Sequence, residues 1–266
     1  MLKKLYRYEY YSLFRSMFPV YIGLLCLALI GRLIYLFEND SFAYQITVTL
    51  SSTFYFVAIA ALFIVGMVIV VTRFYKNLLT GQGYLTFSLP FTPTRHIVCK
   101  LLCGATVTVL NFIVVVASLL ILSAGTNLQK EIFGSLREGW RYAATQYSAG
   151  RLAGVGLEFL LFALVSVFSG ILMFYAAIAI GQQFKSKIGG AVAAYVCLNA
   201  INQALSSVLL MVLFGMNSEV IERYFNNGGL TAFQIYLIFP TCLSLALGTA
   251  YFFVTRYFLT KKLNLE

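Results

Sequence analysis

The sequence is poor in charged residues, which make up only 11% of its 266 residues. Ordinary globular domains carry about 25%. A soluble fold of this length needs polar side chains over most of its exterior, and this chain has too few of them. Residues of the AVILMFWYC set account for 61%, and the mean hydropathy is +0.86. The composition therefore excludes an ordinary soluble domain and indicates a membrane protein.

The sequence also lacks the residue groupings that most enzymes require. Its one histidine, His96, lies in the connection between the second and third apolar segments and not within a segment that could cross a membrane. This position argues against an intramembrane serine–histidine protease. No apolar segment carries the paired acids of acid–base or metal-dependent catalysis. No segment of the form G-x-x-x-x-G-K-[S/T] is present to bind nucleotide phosphates. We therefore expect neither an enzymatic activity nor a bound cofactor in this chain itself.

Six segments are long and apolar enough to cross a bilayer, which takes about 20 residues of helix. The second and third contain no charged residue. Segments of this length are helical rather than the short alternating strands of a barrel. The sequence thus predicts an all-α polytopic membrane protein with a single transmembrane domain over residues 1–266. The predicted spans are 17–37, 53–72, 101–123, 153–180, 188–214 and 233–255.

Basic residues outnumber acidic ones by 19 to 9. In a soluble domain this excess would suggest nucleic acid as a partner. In a chain this apolar it indicates orientation, because Lys and Arg accumulate in cytoplasmic segments. With both termini in the cytoplasm, only Glu9 and Glu266 of the acids lie inside, and no nucleic-acid partner is expected. The basic residues on that side are Lys3, Lys4, Arg7, Arg15, Arg73, Lys76, Arg95, Lys100, Lys185, Lys187, Arg256, Lys261 and Lys262.

Two amphipathic segments lie beside the spans. In 2–18, apolar and basic residues fall on different helical faces, which is typical of a helix in the headgroup layer of the bilayer. Pro19 favours a break before the first span, and a simple continuation of the span is the alternative. The outer loop 125–150 predicts an external interfacial helix anchored by the sole Trp, with contact to substrate or a partner as the alternative. Its apolar residues are Ile132, Leu136, Trp140, Ala143 and Tyr147.

The cytoplasmic connection 73–100 is too long for a turn and too apolar for a solvated loop. Its apolar side chains would expose a patch to water unless they bury against something. Gly81 and Gly83 permit a turn, and Pro90 and Pro93 limit the helix. Basic residues flank these apolar side chains. We therefore interpret 73–100 as a docking element whose partner is a soluble subunit or a lipid surface. The apolar residues are Tyr84, Leu85, Phe87, Leu89 and Phe91.

The segment GQGYLTFSLP, followed by Lys100 at the start of the next span, resembles a family signature. Small exporter-type (type 2) ABC transporter permeases of Gram-positive bacteria typically carry an acidic-Gly-Tyr-Leu-Thr segment leading to Leu-Pro in this loop. The six spans, the amphipathic N-terminal segment and the cytoplasmic termini extend the resemblance over most of the chain. Gln82 departs from the pattern, in which an acidic residue is usual. The matching residues are Gly83, Tyr84, Leu85, Thr86, Leu89, Pro90 and Lys100.

The resemblance implies a function. Two such permeases, identical or related, assemble with two separate ABC ATPase subunits that bind ATP and Mg²⁺. Segment 2–18 would be a connector along the membrane, and 73–100 a coupling helix seated on the ATPase, with a weaker, neutral contact at Gln82. The expected location is the bacterial plasma membrane, and the expected cargo is peptide-like, lipid-like or drug-like. The ATPase-docking residues would be Gly81, Gln82, Gly83, Tyr84, Leu85, Thr86, Phe87, Leu89 and Pro90.

Few polar residues fall inside the spans. Glu158, near the outer end of span four, is expected to reach water or to pair with Arg151. Asn111 in span three is expected to be structural. Span five carries four polar residues on one helical face, which either line a substrate path or join helices by hydrogen bonds. These four are Asn199, Asn202, Gln203 and Ser206.

His96, Cys99 and Cys103 share one helical face at the start of span three. A zinc site would need a fourth ligand, so helix packing is the preferred interpretation. Small-residue pairs that allow close approach of helices are Gly150/Gly154, Ala177/Gly181 and Gly190/Ala194.

Two other functions remain open. An ion-coupled secondary transporter would show an inverted repeat and ionisable groups at the bilayer midplane, and neither is evident. A non-transporting membrane scaffold or sensor would bind a partner without moving a substrate.

Overall fold

The computed structural model describes residues 2–37, 41–79, 93–215 and 218–261. Over these residues the chain forms seven α-helices, and six of them contain a stretch long and apolar enough to cross a membrane. This confirms the predicted all-α polytopic class and the count of six spans. The helices are α1 (Leu2–Leu36), α2 (Phe42–Leu79), α3 (Pro93–Ser123), α4 (Asn127–Gln146), α5 (Ala149–Gly181), α6 (Lys187–Gly215) and α7 (Ser218–Lys261).

Several helices extend well beyond the apolar spans. Helix α2 begins at Phe42, long before the span predicted from residue 53. Its added turns contain four residues with a hydroxyl on Cβ, two threonines and two serines, and the hydroxyls of Thr47 and Thr49 donate to the carbonyls of Ala43 and Gln45. These bonds satisfy the hydroxyls within the helix itself, so polar residues continue a helix where hydropathy falls.

Helix α1 runs without interruption through Pro19, so the predicted break does not occur. Proline lacks an N–H and crowds the preceding turn, but membrane helices tolerate it where neighbouring groups satisfy the backbone. The buried residues Leu13, Met17, Tyr21 and Leu24 follow one helical face on both sides of Pro19. Segment 2–18 is therefore a continuation of the first spanning helix, and its placement in the headgroup layer stays a prediction.

The chain divides into two compact units, of which the first comprises Met1–Arg73 and Leu102–Thr145. Side-chain hydrogen bonds join its long helices. The Tyr21 hydroxyl of α1 donates to Asn111 Oδ1 of α3 at 2.9 Å, and the hydroxyls of Tyr55 (α2) and Ser118 (α3) lie 2.7 Å apart. A Cβ at Gly66 of α2 would lie 2.7 Å from the Asn111 side-chain nitrogen. Asn111 is thus a structural contact among three helices, as predicted.

The second unit comprises Phe74–Leu101 and Gln146–Glu266. Within it, α5 packs most extensively on α7 and also on α6, whereas α6 and α7 touch little. A Cβ at Gly181 would collide with the backbone of Ala191, so the Ala177/Gly181 pair does mark a close approach, here of α5 to α6. Gly150 and Gly154 have no neighbour within 4 Å of such a Cβ, and that pair marks no contact.

Helix α4 confirms a helix within the predicted segment 125–150. The Thr126 hydroxyl accepts the N–H of Gln129, and Gln129 Oε1 accepts the N–H of Gly125 at 2.7 Å, a capping arrangement that starts the helix. Leu136 and Trp140 are 64% and 67% exposed. An apolar face left this open fits an interfacial helix, and the side of the membrane on which it lies stays a prediction.

Candidate functional site

Of the predicted docking element 73–100, the part that carries the docking residues, 81–90, lies outside the residues that the structure describes, and we call 81–90 the docking segment. The helices that carry this segment are described up to Leu79 and again from Pro93. The candidate site is therefore built from these two helix ends and from the side chains that they contact. The docking residues outside the described ranges are Gly81, Gln82, Gly83, Tyr84, Leu85, Thr86, Phe87, Leu89 and Pro90.

The last turns of α2, just before this segment, are buried within the second unit. Phe74, Leu78 and Leu79 are all buried. The ring of Phe74 stacks on the ring of Tyr175 in α5, with centroids 3.9 Å apart and ring planes 9° from parallel. Such aromatic pairs contribute about 0.5–1.5 kcal/mol beyond the burial of their area. The end of α2 is therefore fixed against α5.

The first turns of α3, just after the segment, are fixed against the same residue. The Tyr175 hydroxyl donates to the backbone carbonyl of Lys100 at 3.2 Å. Ile97 and Lys100 are buried, as is Tyr175 itself. One side chain of α5 thus contacts both helix ends that flank the docking segment. We call Phe74, Lys100 and Tyr175 the loop-anchor cluster.

Arg73, immediately before Phe74, joins α2 to α1 within the first unit. One guanidinium nitrogen donates to the Ser12 carbonyl at 3.1 Å and also to the Ser12 hydroxyl. The other lies 3.9 Å from the Glu9 carboxylate. An ion pair at that distance and with that exposure contributes little, so the hydrogen bonds to Ser12 are the stronger part of this contact.

His96, Cys99 and Cys103 are buried in α3, at 1–2% exposure. This burial fits the predicted role in helix packing. Among the described residues no group of three His, Cys, Asp or Glu side chains is arranged to hold a metal ion.

The polar stripe of α6 is divided by the fold. Asn202 and Ser206 are half-buried, and the Ser206 hydroxyl donates to the Asn202 carbonyl at 2.8 Å, whereas Asn199 and Gln203 are exposed. In α6, 0% of the residues in the most apolar stretch are buried within the chain. In the other five spanning helices the buried share of the corresponding stretch is 17–28%. Exposed amides are costly in hydrocarbon, so in a membrane this helix requires further cover.

Glu158 does not pair with Arg151 as one interpretation of the sequence predicted. Its Oε1 accepts a hydrogen bond from the Gln234 amide of α7 at 3.1 Å. Arg151 is exposed and precedes Glu158 by two helical turns, about 10 Å along the axis. Glu158 is half-buried and faces α7.

The same faces of α5 and α7 line an open cavity of about 350 Å³ between the two helices. Beside it Gly248 of α7 packs against Ser169 of α5, since a Cβ added at Gly248 would lie 3.4 Å from the Ser169 side chain. The walls are mostly apolar side chains with a few hydroxyls. Lining residues include Val165, Ser169, Leu172, Ser244, Gly248 and Phe252.

Sequence reasoning missed several of these contacts. Phe74 and Tyr175 are aromatic residues within or beside apolar spans, where such residues are common, so nothing in the sequence marks them as partners. Gln234 carried a usable signal, because an amide at the start of a span requires a hydrogen-bonding partner. Its partner lies on a helix far away in sequence.

The described residues have the fold of an all-helical, multi-pass membrane protein, with a buried cluster where α2 ends and α3 begins. Comparisons of the chain with protein-family models, with curated proteins and with solved structures find no match.

Proposed function

We propose that the chain is the membrane-spanning permease subunit of an ATP-driven ABC exporter in the bacterial plasma membrane, with both termini in the cytoplasm. A separate ATPase subunit binds ATP and Mg²⁺, and a second copy of the permease or a related chain completes the membrane part. The proposal is supported by six apolar helices, by the distribution of Lys and Arg, and by the resemblance of segment 81–90 to the family signature.

The observation that carries the proposal is the loop-anchor cluster. A loop that docks on an ATPase can move spanning helices only if its own ends are firmly attached to them. Tyr175 contacts the helix end before the loop through Phe74 and the helix start after it through Lys100. Tyr175 belongs to α5, which packs on α7 and α6. Movement of the loop is thereby passed to the helices of the second unit.

A second copy is supported by α6. Its apolar stretch is unburied in the single chain, and two of its amides, Asn199 and Gln203, are exposed. Amides both donate and accept hydrogen bonds, so the same stripe on a second chain complements it. A substrate path between two copies would pass beside these residues.

Docking is tested by co-purification of the chain with a candidate ABC ATPase subunit. We expect Tyr84→Glu and Leu85→Glu to abolish co-purification and stimulation of ATP hydrolysis, because a buried apolar contact would receive a charge. Gln82→Glu, which restores the usual acid of the family, should strengthen the association. The matched control is Tyr257→Glu, an exposed aromatic near the end of α7. Unchanged binding by the Tyr84 and Leu85 variants would disprove the docking role.

Coupling is tested separately from docking. Phe74→Ala leaves the docking segment intact but removes the stacked ring, so the ATPase should still bind while transport falls several-fold. Tyr75→Ala, the next aromatic of α2 and only half-buried, serves as the control. ATP-independent transport by the purified chain would instead support an ion-coupled transporter, and partner binding without any transport would support a scaffold or sensor.

A further inference from the structure

The seam between α5 and α7 combines a buried carboxylate oxygen with an apolar cavity. Glu158 Oε1 is bound by the Gln234 amide. Glu158 Oε2 has no access to solvent, and in the described part of the chain no group donates a hydrogen bond to it. A carboxylate oxygen withdrawn from water without a donor is energetically costly. A ligand that enters the seam beside this oxygen and brings an N–H donor with a positive charge would satisfy it and gain a strong contact.

The cavity lies along the same helical faces as the carboxylate. Glu158, Val165, Ser169 and Leu172 are spaced by seven, four and three residues, which places them on one face of α5. From Glu158 to Val165 the helix rises about 10 Å. The Glu158 carboxylate and the apolar cavity thus lie along the same face of α5. The distance between them is one that an alkyl chain spans.

The size and lining of the cavity suit the chain of such a ligand. Its volume of about 350 Å³ lies at the lower end of the range of small-molecule sites, about 300–1,000 Å³. Apolar side chains such as Val165, Leu172 and Phe252 form most of the wall. Burial of an alkyl chain there would contribute affinity in proportion to its apolar area.

We propose that the α5–α7 seam binds a single-chain amphipathic amine. The ammonium group donates to Glu158 Oε2, and the alkyl chain occupies the cavity lined by Val165, Ser169 and Ser244. An alcohol of the same chain length lacks the charge, and a fatty acid would be repelled by the carboxylate. This site goes beyond the proposed function, because it concerns binding by the chain alone and holds whether or not the protein couples to an ATPase.

The test uses the purified full chain in detergent micelles, without ATPase, and n-dodecylamine carrying a photoreactive diazirine near the end of the chain. Mass spectrometry should locate the label in Val165–Leu172 and in Ser244–Phe253. Excess n-dodecylamine should compete, and n-dodecanol should not. Glu158→Gln should weaken the apparent affinity about tenfold, the effect of losing one charge-assisted hydrogen bond. Ser244→Leu, which fills the cavity, should remove the label.

Matched controls make each outcome decisive. Glu138→Gln makes the same chemical change at an exposed acid of α4, and Ala246→Leu enlarges an exposed residue of α7, so both should label like the unmodified chain. The thermal midpoint of each variant shows whether it is folded. Equal competition by n-dodecanol, unchanged affinity in the Glu158→Gln variant, or label spread evenly over the exposed helix faces would each overturn the proposal.

Discussion

At the scale of single residues, several polar side chains of the spans bond either to a neighbouring helix or to their own backbone. Tyr21 bonds to Asn111, Tyr55 to Ser118 and Glu158 to Gln234 across helix contacts. Thr255 instead donates to the carbonyl of Tyr251 within α7. Hydrocarbon offers no water as an alternative partner, so each interhelical bond favours one alignment of its two helices.

Replacement of Asn111 tests this role in the first unit. Asn111→Leu should destabilise the folded chain by about 1–2 kcal/mol, because the buried Tyr21 hydroxyl loses its acceptor. Adding Tyr21→Phe should recover part of that loss, since no unsatisfied hydroxyl then remains. The measurement is reversible unfolding in mixed micelles, with Tyr8→Phe, an exposed tyrosine of α1, as the control. Additive effects of the two substitutions would show that the bond contributes nothing.

Two glycines of α5 form a second matched pair. Gly181→Ala places a Cβ against the backbone of Ala191, so it should separate α5 from α6 and destabilise the chain by about 1–3 kcal/mol. Gly170→Ala meets nothing within 4 Å and should be neutral or stabilising by up to about 1 kcal/mol, because alanine favours a helix over glycine. Thermal unfolding of both variants decides the matter. Equal midpoints would contradict the close approach at Gly181.

At the scale of helices, the apolar periodicity of the sequence is enough to find the spans but not their ends. Hydropathy predicts six segments because a bilayer requires about 20 apolar residues. It predicts neither that α7 begins at Ser218 nor that α2 begins at Phe42, where the helix continues through threonines whose hydroxyls bond to their own backbone. The break predicted at Pro19 is absent for a related reason. The tendency of proline to interrupt a helix is outweighed by the packing of buried residues on both sides of it.

The contact of α1 with α2 through Arg73 is a testable property of these two helices. Arg73→Gln removes the charge-assisted donor to Ser12, so we expect amide hydrogen exchange in α1 before Ser12 to rise several-fold. The control is Arg15→Gln, an exposed arginine of α1. Mass spectrometry of peptides from α1 measures the rates. If the two variants exchange alike, Arg73 does not hold this end of the helix.

At the scale of the whole molecule, the sequence predicts the membrane class and the number of spans but only part of the candidate site. Segment 81–90 is predicted from the sequence as a docking segment because its apolar residues fall between two predicted spans, where lipid would not require them. The loop-anchor cluster is not predicted, because Phe74 and Tyr175 are ordinary aromatic residues whose pairing depends on the packing of helices distant in sequence. Likewise Glu158 is visible as an acid in a span, whereas its partner Gln234 follows only from the packing of α5 on α7.

The exposed flank of α6 bears on the proposed pairing of two chains. Asn199 and Cys197 are both exposed, lie at nearly the same depth, and point to nearly opposite sides of the helix, because successive residues turn by about 100°. A symmetric dimer buries the same surface on both copies, so a residue near its axis approaches its own counterpart. The two positions therefore distinguish a dimer formed through the polar stripe from one formed through the other flank.

We expect oxidative cross-linking in membranes to join two copies through Asn199→Cys in a chain whose five native cysteines are replaced by alanine. The same chain with Cys197 alone restored should remain monomeric on non-reducing gels. Replacement of Asn202 and Gln203 by leucine should lower the cross-linked fraction of the Asn199→Cys chain several-fold, because the stripe loses its interchain hydrogen bonds. Equal cross-linking at both positions would indicate random collision, and cross-linking through Cys197 alone would place the interface on the opposite flank. Cross-linking at neither position would contradict a homodimer through α6.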